Sequence, residues 1–102
     1  MIERNFFKLN DDFTVSLVDR ADYIEYLTHK PHAHHRIALT EIATRLTVST
    51  IFVGHDSSLF ETVVFVNGET LEQRRYETYK DAVLGHHEIA DRIKAYRACH
   101  AL

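Results

Sequence analysis

Two residues in the second half of the chain have side chains suited to proton transfer or ligand binding: Glu61 and His86. Glu61 interrupts the apolar segment 59–66, where a carboxylate needs a partner or an exit to solvent because burying an unpaired charge is costly. His86 lies on the apolar stripe of a predicted C-terminal helix. If both side chains line one cleft, they could act as an acid–base pair or hold a ligand.

Each of the two residues also has a structural interpretation, which we favour. Glu61 could form a buried ion pair that fixes the register of a hairpin, with Arg75, Arg45 or His86 as the partner, and such pairs are poor evidence of catalysis. His86 could be a core histidine whose ring nitrogens bond to a strand backbone or to a polar side chain such as Glu61 or Thr62, because buried polar groups are normally hydrogen-bonded.

A ligand-binding cleft would draw on polar side chains from the predicted sheet, the turn within it and the last helix. An acid–base or ligand-binding role requires these side chains to converge in one place. The candidate ligand-binding residues are His55, Asp56, Glu61, Arg75 and His86.

The eight histidines of this 102-residue chain include a cluster at His32, His34 and His35. On an extended segment His32 and His34 point to the same side, and imidazole is the commonest metal ligand. His55 or Asp56 could supply a third ligand. None of the strong metal-binding spacings is present, so we expect no cofactor and keep a divalent metal at the cluster as the weaker alternative.

The bulk composition excludes several classes of protein. The formal charge of −3 disfavours a nucleic-acid partner, because such proteins usually carry a positive excess. The single cysteine, Cys99, permits no internal disulfide and fits a reducing cytoplasm. We find no signal peptide, and no apolar stretch approaches the roughly 20 residues of a membrane helix. We therefore expect a soluble cytoplasmic protein that does not bind membranes.

Apolar periodicity and capping residues predict the secondary structure of one domain, 1–102. Asp19 and Thr78 are the expected N-caps of two helices, and Asn67-Gly68 is a strong hairpin signal. Gly85, within the second helix, would let another backbone come close. The predicted elements are an arm or strand within 1–18, a helix at 20–29, strands at 36–43, 45–53, 59–66 and, more weakly, 71–76, and a helix at 79–98.

These elements predict an α+β fold. An antiparallel meander of three to four strands packs against the long C-terminal helix, with a short helix near the N-terminus. The sheet and the long helix make up a core at 36–98. The charged strand at 71–76 suits a sheet edge, and the last helix is locally basic. We expect a homodimer from this combination.

Several short motifs follow one another in the core region. They are V-S-T-I-F-V-G at 48–54, L-F-E-T at 59–62, R-Y-E-T at 75–78 and G-H at 85–86. In this order they resemble an uncharacterised family of small proteins encoded by phages and prophages. The resemblance spans roughly residues 36–93 and implies an accessory protein that works in the cytoplasm of a host cell.

The resemblance and the lack of catalytic motifs together lead to one functional expectation. We expect a phage or prophage accessory protein that binds a host protein, such as a component of host defence, without catalysis. One alternative is a small enzyme or ligand-binding protein that uses Glu61 and His86. Another is a histidine-rich metal-binding protein.

Overall fold

The computed structural model describes residues 6–29, 36–55 and 58–100 of the chain. The elements in these residues belong to the α+β class, as expected, with more strands than the three or four predicted. In chain order they are β1 (Phe6–Leu9), β2 (Val15–Val18), α1 (Arg20–His29), β3 (Arg36–Ala43), β4 (Leu46–His55), β5 (Ser58–Val66), β6 (Glu69–Tyr76) and α2 (Tyr79–His100).

Strands β3 to β6 form the predicted antiparallel meander, in which each strand pairs with the next. Asn67 and Gly68 join β5 to β6 with φ angles of 53° and 81°. Both angles are left-handed, as a type I′ turn requires. The turn between β3 and β4 lacks Gly and Asn, and its left-handed residue is Arg45, with φ of 62°. The backbone N–H of Asn67 donates to the carbonyl of Arg45 (2.9 Å), so the two turns lie side by side.

The N-terminal region forms a hairpin of two strands, where the sequence predicted one strand or an extended arm. β1 and β2 pair antiparallel from Phe6 opposite Val18 to Leu9 opposite Val15. Phe6 also pairs with His55 at the end of β4, which joins the hairpin to the meander. Residues 10–14 supply the turn, and Asn10 donates its backbone N–H to a carbonyl across it.

Both predicted helix caps are present. The Asp19 carboxylate accepts a hydrogen bond from the backbone N–H of Asp22 (2.8 Å) at the start of α1. The Thr78 hydroxyl accepts one from the N–H of Asp81 (3.0 Å) at the start of α2. Each cap satisfies one of the free donors of a helix N-terminus. No helix in the described part of the chain combines the length and apolar character needed to cross a membrane.

Both helices pack on the same face of the sheet and bury two apolar clusters there. Gly85 of α2 lies under the ring of Tyr76, and a Cβ at this position would overlap that ring. The close approach predicted for Gly85 therefore involves a side chain and not another backbone. The larger cluster comprises Leu9, Tyr23, Tyr26, Phe52, Phe60 and Ala82. The smaller cluster comprises Val48, Val64, Ile89 and Ala90.

Candidate functional site

A polar layer, fully buried except at Thr40, separates the two apolar clusters. It consists of one threonine from each of three adjacent strands together with His86 of α2. The Thr50 hydroxyl oxygen lies 2.7 Å from Nδ1 of His86 and 2.5 Å from the hydroxyl oxygen of Thr62. The Thr40 hydroxyl oxygen lies 2.8 Å from Nε2 of His86. Thr50, Thr62 and His86 each have 0 % of their surface exposed.

Strand alternation produces this layer. Thr50 lies two residues from both Val48 and Phe52, so all three side chains point to the helices. Thr62 pairs directly with Thr50 and lies between Phe60 and Val64 on β5, so its side chain also points to the helices. On α2, His86 lies four residues from both Ala82 and Ala90, which belong to different clusters. The polar layer therefore fixes how α2 is placed along the sheet.

The surroundings of His86 favour a neutral, structural imidazole. Burial lowers its pKa below the ordinary value, and electrostatic interaction with the nearby His87 and Lys94 lowers it further. In a neutral imidazole one nitrogen donates and the other accepts, and threonine hydroxyls can serve both. With both nitrogens hydrogen-bonded and no exposed surface, His86 has no free atom to present to a substrate.

Glu61 lies on the opposite face of the sheet from His86. Its neighbour Thr62 points to α2, so alternation directs the Glu61 side chain away from the helix. There Glu61 lies 3.6 Å from Nε of Arg75, its cross-strand partner, and 3.3 Å from Nε2 of Gln73. The structure brings Glu61 and Arg75 together, as one predicted alternative required, but the Arg75 side chain is 64 % exposed, so the pair is not the buried one predicted. It does not place Glu61 with His86 in one cleft.

The remaining sequence candidates fall largely outside the described residues. His32, His34, His35 and Asp56 lie there, as does the side chain of His55. The metal site predicted at the histidine cluster therefore stays a prediction. Within the described ranges, no group of three or more His, Cys, Asp or Glu side chains could hold a metal ion.

A surface that the sequence analysis missed lies on the side of the sheet away from both helices. We call it the uncovered sheet face and define it by the outward side chains of β3, β4 and β5. Three large apolar residues are exposed on it: Leu39 (50 %), Ile51 (37 %) and Phe65 (37 %). No described helix packs over them. Their strand positions were predicted correctly, but the sequence did not indicate which face the helices would cover.

A groove of about 450 Å³ runs along this face. Leu39 and Phe65 supply apolar surface, and Thr47 and Ser49 supply hydroxyl groups. Two arginines also line the groove, and neither has an ion-pair partner among the described residues. The complete lining is Arg36, Leu39, Arg45, Thr47, Ser49, Phe65, Asn67 and Gly68.

Comparisons with protein-family models, curated proteins and solved structures give no match to this chain. The resemblance to small phage and prophage proteins therefore stays a prediction that rests on the motifs at 48–54, 59–62, 75–78 and 85–86.

Proposed function

We propose that this chain is a small binding protein that holds a protein partner on its uncovered sheet face and performs no catalysis. The observation that carries the proposal is the exposure of Leu39, Ile51 and Phe65 on one face of an otherwise well-packed sheet. An antiparallel sheet that faces water normally presents polar side chains there. Contiguous exposed apolar residues with a polar rim are typical of an interaction surface.

The surroundings of this apolar patch support a protein partner. The Glu61–Arg75 pair borders it beside Ile51, and the hydroxyls of Thr47 and Ser49 lie between Leu39 and Phe65. Protein interfaces likewise combine apolar side chains with polar groups. Aromatic and arginine side chains frequently carry most of the binding energy, and Phe65 and two arginines line the groove.

The motif resemblance suggests where such a partner would be found. A phage or prophage accessory protein would meet its partner, a host protein such as a defence component, in the cytoplasm of the host cell. Homodimerisation is part of the same proposal, because the outer edges of β3 and β6 pair with no described strand. An open edge is a template for pairing with another chain.

The test is capture of a partner from host lysate on immobilised protein, with matched variants. The double variant Leu39→Glu and Phe65→Glu places two charges on the uncovered sheet face. The control, Leu17→Glu and Leu84→Glu, makes the same changes at two leucines that are 67 % and 56 % exposed elsewhere. We expect the wild type and the control to retain a stoichiometric partner and the face variant to lose it. Equal retention by all three proteins, or no partner on any, would contradict the proposal.

A further inference from the structure

We propose that two copies of this chain cover each other's uncovered sheet face in the free protein, related by a two-fold axis at the level of Leu39. The inference goes beyond the proposed function, because it assigns the occupant of this face before a host partner binds. It follows from the order of two opposite charges along β3 and from the size of the face.

Three exposed side chains of β3 point outward in succession: Arg36, Leu39 and Glu41. Their pairing partners are alternate residues of β4, which are Ile51, Ser49 and Thr47. Arg36 and Glu41 therefore lie one outward position on either side of Leu39, each about 7 Å from it. Neither charge has an ion-pair partner among the described residues. The face thus presents an unpaired cation and an unpaired anion at equal distances from one apolar side chain.

A two-fold axis between two facing copies makes this order self-complementary. When the axis crosses the strands at the level of Leu39, each Arg36 faces Glu41 of the second copy, and two identical ion pairs form, as in any isologous interface. Stacked sheets lie about 10 Å apart, a gap that extended arginine and glutamate side chains span together. A rotation of about 30° between the two sheets would offset the charges by only about 4 Å.

The remaining charges of the face do not oppose a second copy. Glu61 lies 3.6 Å from Arg75, so covering it does not leave its carboxylate unpaired. Arg45 lies in the turn that follows β3, at the rim of the face. Ile51 and Phe65 add exposed apolar surface whose burial favours association. A second copy therefore buries apolar side chains there and leaves no charge without a partner.

The size of the face predicts a weak dimer. With β6 beside it, the face has four strands about 4.8 Å apart and outward side chains at three levels, which cover roughly 20 by 20 Å. Two copies would then hide about 800 Å² or somewhat more, which is at the low end of specific interfaces. We expect a Kd in the micromolar range, so that a host partner with higher affinity can replace the second copy on the same face.

The strand edges offer another way to pair two copies, but the edge of β3 suits it poorly. The register of β3 against β4 shifts twice, between Arg36 and Ala38 and between Glu41 and Ala43. Such irregularities protect an edge against pairing with another chain. The face is therefore the better contact for the proposed homodimer.

Sedimentation velocity of the full-length chain, from low micromolar to nearly millimolar concentration, measures the Kd of the dimer. The variants Arg36→Glu and Glu41→Arg are made separately, and each would place like charges opposite each other at both pairs. The matched controls are Arg20→Glu and Glu25→Arg, at two exposed residues of α1. Circular dichroism and thermal melting confirm that each variant is folded.

A second pair of variants separates the face from the strand edge. Phe65 lies two strands inward from β3, about 10 Å from the edge. Phe65→Glu should therefore weaken a dimer that forms through the face and leave an edge dimer intact. Leu84→Glu, on the exposed surface of α2, is the control.

We expect the wild type and all controls to dimerise with the same Kd. Arg36→Glu, Glu41→Arg and Phe65→Glu should each weaken the dimer about tenfold, and the effect of the two charge reversals should decrease at high salt. An equimolar mixture of the Arg36→Glu and Glu41→Arg chains should restore the dimer to within about threefold of the wild type, because unlike charges then meet at both pairs. Misfolded variants would not recover on mixing.

Four results would overturn the inference. They are a wild type that is monomeric at every concentration, a dimer that neither charge reversal weakens, no recovery on mixing, and a dimer that Phe65→Glu leaves intact. Failure of the proposed function gives a different result. If the dimer behaves as expected but the chain with Leu39→Glu and Phe65→Glu keeps its lysate partner, the proposed function fails and this inference stands. If the wild type is monomeric and that variant loses its lysate partner, the reverse holds.

Discussion

Replacement of Thr50 by Val tests whether the buried polar layer stabilises the fold. Val has nearly the same shape as Thr and suits a strand equally well, so the main change is loss of the hydroxyl. That oxygen is the shared partner of Thr62 (2.5 Å) and of Nδ1 of His86 (2.7 Å). The substitution therefore removes two hydrogen bonds at a site with no exposed surface.

The expected loss of stability follows from the polar groups that Thr50→Val leaves without hydrogen-bond partners. A buried polar group that loses its partner costs about 1–3 kcal/mol. Nδ1 of His86 has no other partner in the described structure, whereas the Thr62 hydroxyl can rotate. Burial of the added methyl group offsets up to about 0.8 kcal/mol. We therefore expect Thr50→Val to reduce the free energy of unfolding by about 2 kcal/mol, which lowers Tm by roughly 10 °C in a domain of this size.

Urea unfolding followed by circular dichroism measures this change. The matched control is Thr47→Val, the same substitution on the same strand at a side chain that points to the opposite face. Thr47 has no side-chain hydrogen bond in the described structure, so its replacement should change stability by less than about 0.5 kcal/mol. Equal stabilities of the two variants would refute the idea that the polar layer holds α2 on the sheet.

Three further predictions concern residues singled out by the sequence. Because burial lowers the pKa of His86, the unfolded chain binds its proton more readily. The free energy of unfolding should therefore be constant above the unfolded pKa of about 6.5 and should fall as pH decreases towards the folded pKa. In urea titrations across pH 5–8, His86→Gln should remove the part of this pH dependence that His86 contributes. Gly85→Ala should destabilise the wild type by about 1–3 kcal/mol, because the new methyl group would contact Tyr76. In a Tyr76→Ala background the same substitution should stabilise the protein by up to about 1 kcal/mol. A change of stability with the same sign in both backgrounds would contradict this packing. A double-mutant cycle with Glu61→Gln and Arg75→Ala should give a coupling below about 1 kcal/mol, since Arg75 is largely exposed, and a larger coupling would mean a tighter pair than 3.6 Å implies.

Local signals in the sequence predicted local structure well. The Asn67-Gly68 turn and the caps at Asp19 and Thr78 depend on residues within four positions of each other, and all three are present. The N-terminal hairpin was only partly predicted. Its first strand, Phe6–Leu9, is short, and its position depends on pairing with β2 and with the distant end of β4.

The polar layer could not be predicted because it depends on register between distant elements. Strand alternation puts Glu61 on the face that also carries Phe65, and helical spacing correctly placed His86 on the packed face of α2. The apolar segment 59–66 offers apolar side chains on both faces, so the sequence did not decide which face α2 covers. The structure places Thr62 against the helix, and that choice separates Glu61 from His86.

Thiol labelling at a single engineered cysteine tests the central claim that the uncovered sheet face holds the partner. Cys99→Ser removes the native thiol, and Ser49→Cys, a nearly isosteric change, then reports on the groove while Leu84→Cys reports on the exposed surface of α2. Maleimide labelling rates are measured for each protein alone and in complex with the partner captured from lysate. We predict that the partner slows labelling at position 49 at least tenfold and leaves position 84 unchanged. Equal labelling at position 49 with and without the partner would contradict the account.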